Sequence, residues 1–303
     1  MATGRLEAVF YRDGRLRPGW RIALFFFFFI FFSVVGQLAI NVLPRNSLQW
    51  GSLAVSTAAA LLAGWIVLSH VDGRPFGALG FPLHRRVARE TLLGFVIGGA
   101  LIGAAVLLLV ISASARFSPD AGGVLDLAAF LAWSFLFFSL AAAWEEAVFR
   151  GYPFQALVEW VGAWPATFIA SAIFSALHAA NPNVTPLGLA NIFLAGVLLS
   201  VAYLRTRSLW FATALHVGWN WTMASLLDFP VSGLDFETPV YTGVPTGPAW
   251  WTGAAFGPEA GLVGTVVLAA GTALLIRSRR LREDPEMHRL RPLVDQRLVA
   301  EAL

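Results

Sequence analysis

The chain has 303 residues, of which 57% are hydrophobic and only 13% are charged, with a formal net charge of +3. Soluble globular domains contain roughly 45–50% apolar and about 25% charged residues, so this composition excludes a disordered chain and argues against a soluble enzyme. All 21 basic residues are arginine, and cysteine is absent. Lysine-based chemistry, a disulfide framework and a cysteine nucleophile are therefore excluded.

Eight apolar segments lie along the chain, at about residues 22–43, 48–69, 91–112, 125–144, 165–179, 187–204, 209–227 and 257–276. A helix needs about 20 residues to cross the hydrocarbon core of a bilayer. The first segment is longer than the apolar region of a signal peptide, so we expect it to be a retained span. The segments lack the alternation of barrel strands. The sequence therefore predicts an all-α, polytopic membrane helix bundle with about eight transmembrane helices.

The arginines divide unevenly between the two ends of such a bundle. With eight spans, nineteen of the 21 arginines, Arg5 among them, fall on the side of the termini, whereas Arg45 and Arg116 fall on the other side. Because short cytoplasmic loops are enriched in basic residues, we expect both termini to be cytoplasmic. The loop 228–258 is then external, and residues 277–303 form a cytoplasmic tail of a single integral membrane domain, residues 1–303.

Three ionisable residues lie together in the fourth segment, in the sequence Trp-Glu-Glu-Ala-Val-Phe-Arg-Gly. Ionisable residues inside spans are costly and usually mark function. Glu146 and Arg150 are spaced i,i+4, so they can pair on one helix face. Glu145 then points about 100° away around the helix and is free to face a cavity. By contrast, Asp126 and Glu259 lie at span ends, where we expect them to be interfacial.

Polar residues recur in two later segments. His178 stands four residues after Phe174, and His216 stands four residues before Asn220. A carboxylate can take a proton from water, and an amide and an imidazole can stabilise an oxyanion. Alternatively, Glu145, His178 and His216 form a two-histidine, one-carboxylate zinc shell with an open position for water. The chemistry is hydrolysis in either case.

These three patterns together resemble the CAAX protease and bacteriocin-processing family of intramembrane proteases, which includes the type II CAAX prenyl endopeptidases. The family signature is Glu-Glu-x-x-x-Arg, then Phe-x-x-x-His, then His-x-x-x-Asn on successive helices. All three occur in that order within residues 125–227, which we take as the catalytic core. Each motif alone is weak, whereas the ordered set is specific.

The resemblance implies that Glu145 activates water with help from His178, and that His216 and Asn220 form the oxyanion site. The remaining motif residues have supporting roles, and these are Glu146, Arg150 and Phe174. Older descriptions call such enzymes metalloendopeptidases. We favour a metal-free glutamate mechanism that requires no cofactor, with zinc held by Glu145, His178 and His216 as the alternative.

The expected protein is an intramembrane endopeptidase of the prokaryotic plasma membrane. Its partners are the lipid bilayer and a membrane protein or peptide substrate, with no nucleic acid; the sequence carries no signal for an oligomeric state. The alternative is a non-catalytic membrane immunity or scaffold protein, or a transporter. A transporter predicts paired broken helices in both halves of the chain, but here the polar motifs are confined to the second half.

The predicted span limits place Glu145 near the cytoplasmic end of the fourth span and His178 toward the opposite end of the fifth. Because the two side chains must meet to react, we expect the fourth helix to extend through Arg150. We also expect a water-filled cavity in the cytoplasmic half of the bundle.

Overall fold

The computed structural model describes residues 9–12, 14–42, 44 and 48–290, and nearly all regular structure in them is helical. Arg5, Arg45 and the tail residues 291–303 lie outside the described residues. The long helices are α1 Pro18–Ile40, α2 Leu48–His70, α3 Val87–Ile111, α4 Val124–Phe149, α5 Tyr152–Val161, α6 Ala163–Leu177, α7 Pro186–Thr206 and α8 Leu209–Trp221. They are followed by the single turn α9 Ala249–Thr252, by α10 Leu262–Arg277 and by α11 Pro285–Leu290.

Six helical segments of the described chain are long and apolar enough to cross a membrane: Pro18–Ile40, Trp50–His70, Val87–Ile111, Val124–Val161, Ala163–Ala180 and Pro186–Thr206. The prediction of an all-α polytopic bundle is therefore confirmed. The two other predicted spans correspond to α8, which continues as a π-helix over Thr222–Leu226, and to the shorter α10. The count of eight and the cytoplasmic placement of the termini stay predictions.

The described residues also form two small antiparallel sheets of two strands each. β1 (Tyr11–Arg12) pairs with β2 (Arg15–Leu16) before α1. β3 (Ala115–Pro119) pairs with β4 (Tyr241–Pro245), with Ala115 opposite Pro245 and Pro119 opposite Tyr241. The second sheet ties the α3–α4 connection to the long loop that follows α8.

The fourth predicted span continues past its expected end at residue 144. α4 ends at Phe149, and α5 begins at Tyr152 with a proline in its first turn, where a missing N–H costs nothing. After Gly162, α6 turns back, and the rings of Phe149 and Phe174 meet with centroids 5.1 Å apart. These two residues stand at similar chain distances from Gly162. The hairpin therefore brings Glu145 and His178 to similar depths, which removes the mismatch that the predicted limits created.

The last predicted span begins later than expected, at Leu262 rather than 257. The preceding residues form two 3-10 turns, Ala254–Phe256 and Pro258–Ala260. Gly257 has φ +108°, and a Cβ there would lie 2.0 Å from the carbonyl oxygen of Pro230. The apolar composition of this stretch predicts a helix, but its backbone is folded tightly against the loop after α8, and only glycine fits that approach.

α3 and α8 pack with their backbones in close contact. A Cβ at Gly98 would lie 2.0 Å from the carbonyl oxygen of Leu215, and one at Gly218 would lie 2.1 Å from that of Phe95. Small residues allow such approaches between membrane helices, where dispersion and hydrogen bonds replace the hydrophobic effect as the driving force. This contact fixes the helix that carries His216.

Candidate active site

A cavity of about 380 Å³ lies inside the bundle, between α4, α6, α7 and α8. Its lining is mostly apolar and aromatic. Four polar residues among the lining are those expected to be catalytic: Glu145, His178, His216 and Asn220. Helices that are separate in sequence thus bring the four predicted residues to one enclosed space.

The two adjacent glutamates face different surroundings. Glu145 lines the cavity, with 21% of its side chain exposed, whereas the side chain of Glu146 is completely buried. Arg150 Nη1 donates to Glu146 Oε1 over 3.0 Å, so the predicted i,i+4 pair is present. The helix therefore separates one glutamate for pairing and one for the cavity, as a rotation of about 100° per residue requires.

His216 connects both glutamates. Its Nδ1 lies 2.9 Å from Glu146 Oε1, and its Nε2 lies 3.9 Å from Glu145 Oε2. An ionised carboxylate can only accept a hydrogen bond, so Nδ1 carries a proton. The 3.9 Å separation allows a charge interaction with Glu145 but is too long for a hydrogen bond. Glu146 therefore fixes the orientation of the imidazole, and Nε2 is the nitrogen on the side of Glu145.

His178 is oriented by its own helix. Its Nδ1 lies 2.8 Å from the carbonyl oxygen of Phe174, which can only accept, so Nδ1 is the donor. In the neutral ring Nε2 is then free to accept a proton. The ring of Phe174 packs against that of His178, with centroids 4.6 Å apart, and lies 4.7 Å from the Arg150 guanidinium carbon. Phe174 thus supports the site by packing.

Arg150 is fully buried at the closed end of the site. Besides its bond to Glu146, its Nη2 donates to the carbonyl oxygen of Gly196 over 3.2 Å. Its guanidinium also lies against the aromatic faces of Phe149 and Phe174. Such stacking suits the planar, weakly hydrated arginine cation. Arg150 therefore joins α4, α6 and α7 behind the cavity.

Residues 127–222 match a family model described as Type II CAAX prenyl endopeptidase Rce1-like. The match covers about a third of the chain and contains all seven residues singled out by the sequence motifs. Over this stretch the chain is similar to the type II CAAX prenyl endopeptidases. No curated protein matches the sequence. Together with the apolar helices, this similarity supports an integral membrane protein of the general class of CAAX-type intramembrane proteases.

The zinc alternative calls for three ligand side chains close together. Within the described residues, no three His, Asp or Glu side chains are grouped so that they could hold a metal ion. His216 directs Nδ1 to Glu146, so only its Nε2 is on the side of Glu145. We therefore derive no step through zinc from Glu145, His178 and His216.

Glu259 is a polar residue of the cavity wall that the sequence predicts to be interfacial. Glu259 is only 5% exposed and lines the cavity, so its predicted interfacial location is wrong. Its carboxylate accepts hydrogen bonds from Ser232 and Trp219. A sequence signal does exist: a single carboxylate stands between apolar and glycine residues in Phe-Gly-Pro-Glu-Ala-Gly-Leu, with no arginine nearby.

One part of the cavity wall comes from the loop 228–258, and the location of the cavity in the cytoplasmic half of the bundle stays a prediction. The loop after α8 folds back and supplies part of the wall, with the residues Val231, Ser232, Leu234 and Phe236. This loop was predicted to be external. It enters the bundle because it carries apolar side chains of its own, and Phe229 and Val231 are almost completely buried.

Proposed function

We propose that this protein hydrolyses a peptide bond of a membrane-associated protein or peptide, with Glu145 as the base that activates water. The observation that supports this most directly is that the two adjacent glutamates have different surroundings. Glu146 is held by Arg150 and His216, while Glu145 remains on the cavity wall with His216 Nε2 3.9 Å away. A base must be able to reach both water and substrate, and of the two adjacent glutamates Glu145 is the one that lines the cavity.

In the proposed reaction, water bound beside Glu145 gives a proton to the carboxylate while its oxygen attacks the carbonyl carbon of the substrate. Asn220 Nδ2 donates to the oxyanion that develops. His216 donates from Nε2 when it carries protons on both nitrogens, and Glu146 balances that charge at Nδ1. The proton on Glu145 then passes to the leaving nitrogen with assistance from His178. The C–N bond breaks, and a new carboxyl group and a new amine are released.

The surroundings of these groups favour a substrate that arrives through the membrane. The cavity walls are largely apolar and aromatic, and they include Phe137, Phe138 and Trp144 from α4. Such walls exclude most water and strengthen the electrostatic contacts within. The proposed setting is the plasma membrane of a prokaryote, which would favour membrane proteins or leader peptides over prenylated C-termini as substrates.

The test compares the membrane proteome of cells that carry the wild-type protein with that of cells that carry Glu145→Gln. We expect substrates to accumulate uncleaved in the variant, with a loss of cleavage of about 100-fold or more, because a general base contributes roughly 10²–10⁴-fold. Glu237→Gln, an exposed acidic residue of the loop, is the matched control. Full activity of Glu145→Gln would refute the assignment of the base.

Chelators test the metal-free form of the mechanism. We expect the purified wild-type protein in detergent to keep its activity after treatment with a strong zinc chelator and dialysis. Loss of activity that added zinc restores would show metal dependence, and it would favour the alternative ligand set of Glu145, His178 and His216.

A further inference from the structure

Glu259 is a buried carboxylate that the proposed reaction does not use. It lies in the 3-10 turn Pro258–Ala260, outside the segment that matches the family model. Its Oε1 accepts from Ser232 N over 2.6 Å and from Ser232 Oγ over 2.8 Å, while its Oε2 accepts from Trp219 Nε1 over 3.3 Å. One carboxylate thus joins the loop after α8 to α8 itself at the cavity wall.

The backbone of Glu259 is anchored independently of its side chain. Asn191 Nδ2, on α7, donates to the carbonyl oxygens of Glu259 and Gly261 over 2.7 and 2.8 Å. Asn191 Oδ1 in turn accepts from Thr265 Oγ1 on α10 over 2.7 Å. Because its backbone is fixed to α7 and, through Asn191, to α10, the Glu259 carboxylate is well placed to hold α8 and the loop after it.

The two segments that Glu259 binds, the end of α8 and the loop at Ser232, both have irregular backbone. Trp219 immediately precedes Asn220, and α8 changes to a π-helix at Thr222. A π-turn widens the backbone and interrupts the regular i→i−4 bonds, so the regular α-helix ends directly after the turn that carries Asn220. Ser232 has φ +51°, an uncommon value for a residue other than glycine that a surrounding structure must hold in place.

We propose that Glu259 is a positioning residue for the active site, which holds the turn of α8 that carries Asn220 and the facing loop in reactive geometry. The inference rests on the proposed function, because Asn220 is the group through which Glu259 acts. It also assigns a part of the site to a stretch of chain that the family segment does not contain.

The chemistry of the carboxylate makes this proposal specific. Both oxygens of Glu259 accept hydrogen bonds, and all three donors point N–H or O–H groups at them. In Glu259→Gln one oxygen becomes an NH₂ group, which can only donate. Whichever way the amide turns, its NH₂ group faces either the indole N–H of Trp219 or the backbone N–H of Ser232, so one of these two hydrogen bonds is lost.

The test is a double-mutant cycle between Glu259→Gln and Asn220→Ala. It uses the full-length protein in detergent and a fluorogenic peptide that carries the cleavage site identified by the proteome comparison. We expect Glu259→Gln to lower kcat by about tenfold or more with little change in KM, because small misplacements of a catalytic group cost rate. In the Asn220→Ala background, the same change should have little further effect. Asp235→Asn, an exposed carboxylate in the same loop, should leave kcat unchanged.

Other outcomes overturn the proposal. An equal loss of kcat in both backgrounds would show that Glu259 acts on general stability, and an unchanged kcat would show that it does not act at all. Full activity of Asn220→Ala would leave Glu259 with nothing to position. Loss of activity in Glu145→Gln would still support the proposed hydrolysis in each of these cases, so the two failures are distinguishable.

A second variant covers the case in which Glu259→Gln does not fold. Trp219→Phe removes the indole N–H and keeps a smaller aromatic ring on the cavity wall. We expect it to lower kcat in the wild-type background and to have little effect beside Asn220→Ala. Equal effects of Trp219→Phe in both backgrounds would contradict the proposal.

Discussion

At the scale of single residues, a buried charge is tolerated only where its partners are in place. Glu146 and Arg150 are both completely buried, and each would be costly alone in the apolar interior. They share one hydrogen bond, and His216 and Gly196 supply further polar contacts. The group of charges that gives the site its polarity is therefore also a fold determinant.

We expect Arg150→Met to destabilise the protein by about 3–5 kcal/mol, because it leaves Glu146 as an unpaired buried charge. Thermal unfolding of the purified protein in detergent measures this change. Arg289→Met, which removes an exposed partner of Glu286, should cost at most about 1 kcal/mol. The double variant Glu146→Gln with Arg150→Met should recover part of the loss. Equal stability of Arg150→Met and wild type would contradict the proposed role of the pair.

Residue spacing in the sequence predicts contacts within one helix, but it does not predict hydrogen bonds between residues that are far apart in the chain. Helical spacing alone predicts the Glu146–Arg150 pair and the divergence of Glu145, because both follow from the helix rotation. The partners of Glu259 lie 27 and 40 residues away in sequence. No spacing rule connects them, since they meet only after the loop has folded into the bundle.

At the scale of elements, the paired charges in α4 caused the hydropathy pattern to place the end of the fourth span too early. Glu145, Glu146 and Arg150 suggest the end of a span, yet the helical path continues through α5 to Val161. The buried charges of Glu146 and Arg150 are compatible with this position because they pair with each other. α3 and α8 also depend on close backbone approaches, one of them between Gly98 on α3 and the carbonyl of Leu215 on α8.

We expect Gly98→Ala to destabilise the bundle by about 1–3 kcal/mol and to lower activity, because the new methyl group must push α8 away. Leu215 directly precedes His216, so the displacement reaches the site. Gly103→Ala lies on the same helix with no atom within 4 Å of the added Cβ, and it should be neutral or slightly stabilising. Melting temperature and proteolytic activity of both variants provide the measurement. Indistinguishable variants would show that α3 and α8 adjust freely.

At the scale of the whole molecule, an ion-pair cluster joins segments that are far apart in sequence. Arg15 and Arg21 both contact Asp72 and Glu159, and Tyr152 Oη donates to Asp72 Oδ2 over 2.6 Å. The cluster connects β2, α1, the loop after α2 and α5. Since α5 directly follows α4, the N-terminal segments are tied to the helix that carries Glu145.

We expect Asp72→Asn to destabilise the protein by about 3–5 kcal/mol, because Arg21 and Asp72 both have side chains that are only 1% exposed. Thermal unfolding at low and high salt tests this, and the loss should change little with salt because the pair is shielded from ions. Asp120→Asn, at an exposed position, is the control. A loss that disappears in high salt would show a solvent-screened contact instead.

The absence of cysteine makes the orientation of the whole molecule testable. We expect Ala249→Cys, in the arginine-free loop region, to react with an impermeant maleimide in intact cells. Arg282→Cys should react only after permeabilisation, because the positive-inside rule places the arginine-rich end in the cytoplasm. Both positions are exposed. The reverse labelling pattern would overturn the predicted orientation.

One part of the cavity wall has an evolutionary consequence. It consists of Val231, Ser232, Leu234, Phe236 and Glu259. These residues lie after the family segment, whereas the groups proposed for bond cleavage lie within it. On the proposed mechanism, the reacting groups and this part of the cavity wall are thus encoded in separate stretches of the gene. Exchange of the loop alone could redirect such an enzyme to new targets, provided that the acidic anchor to α8 is retained.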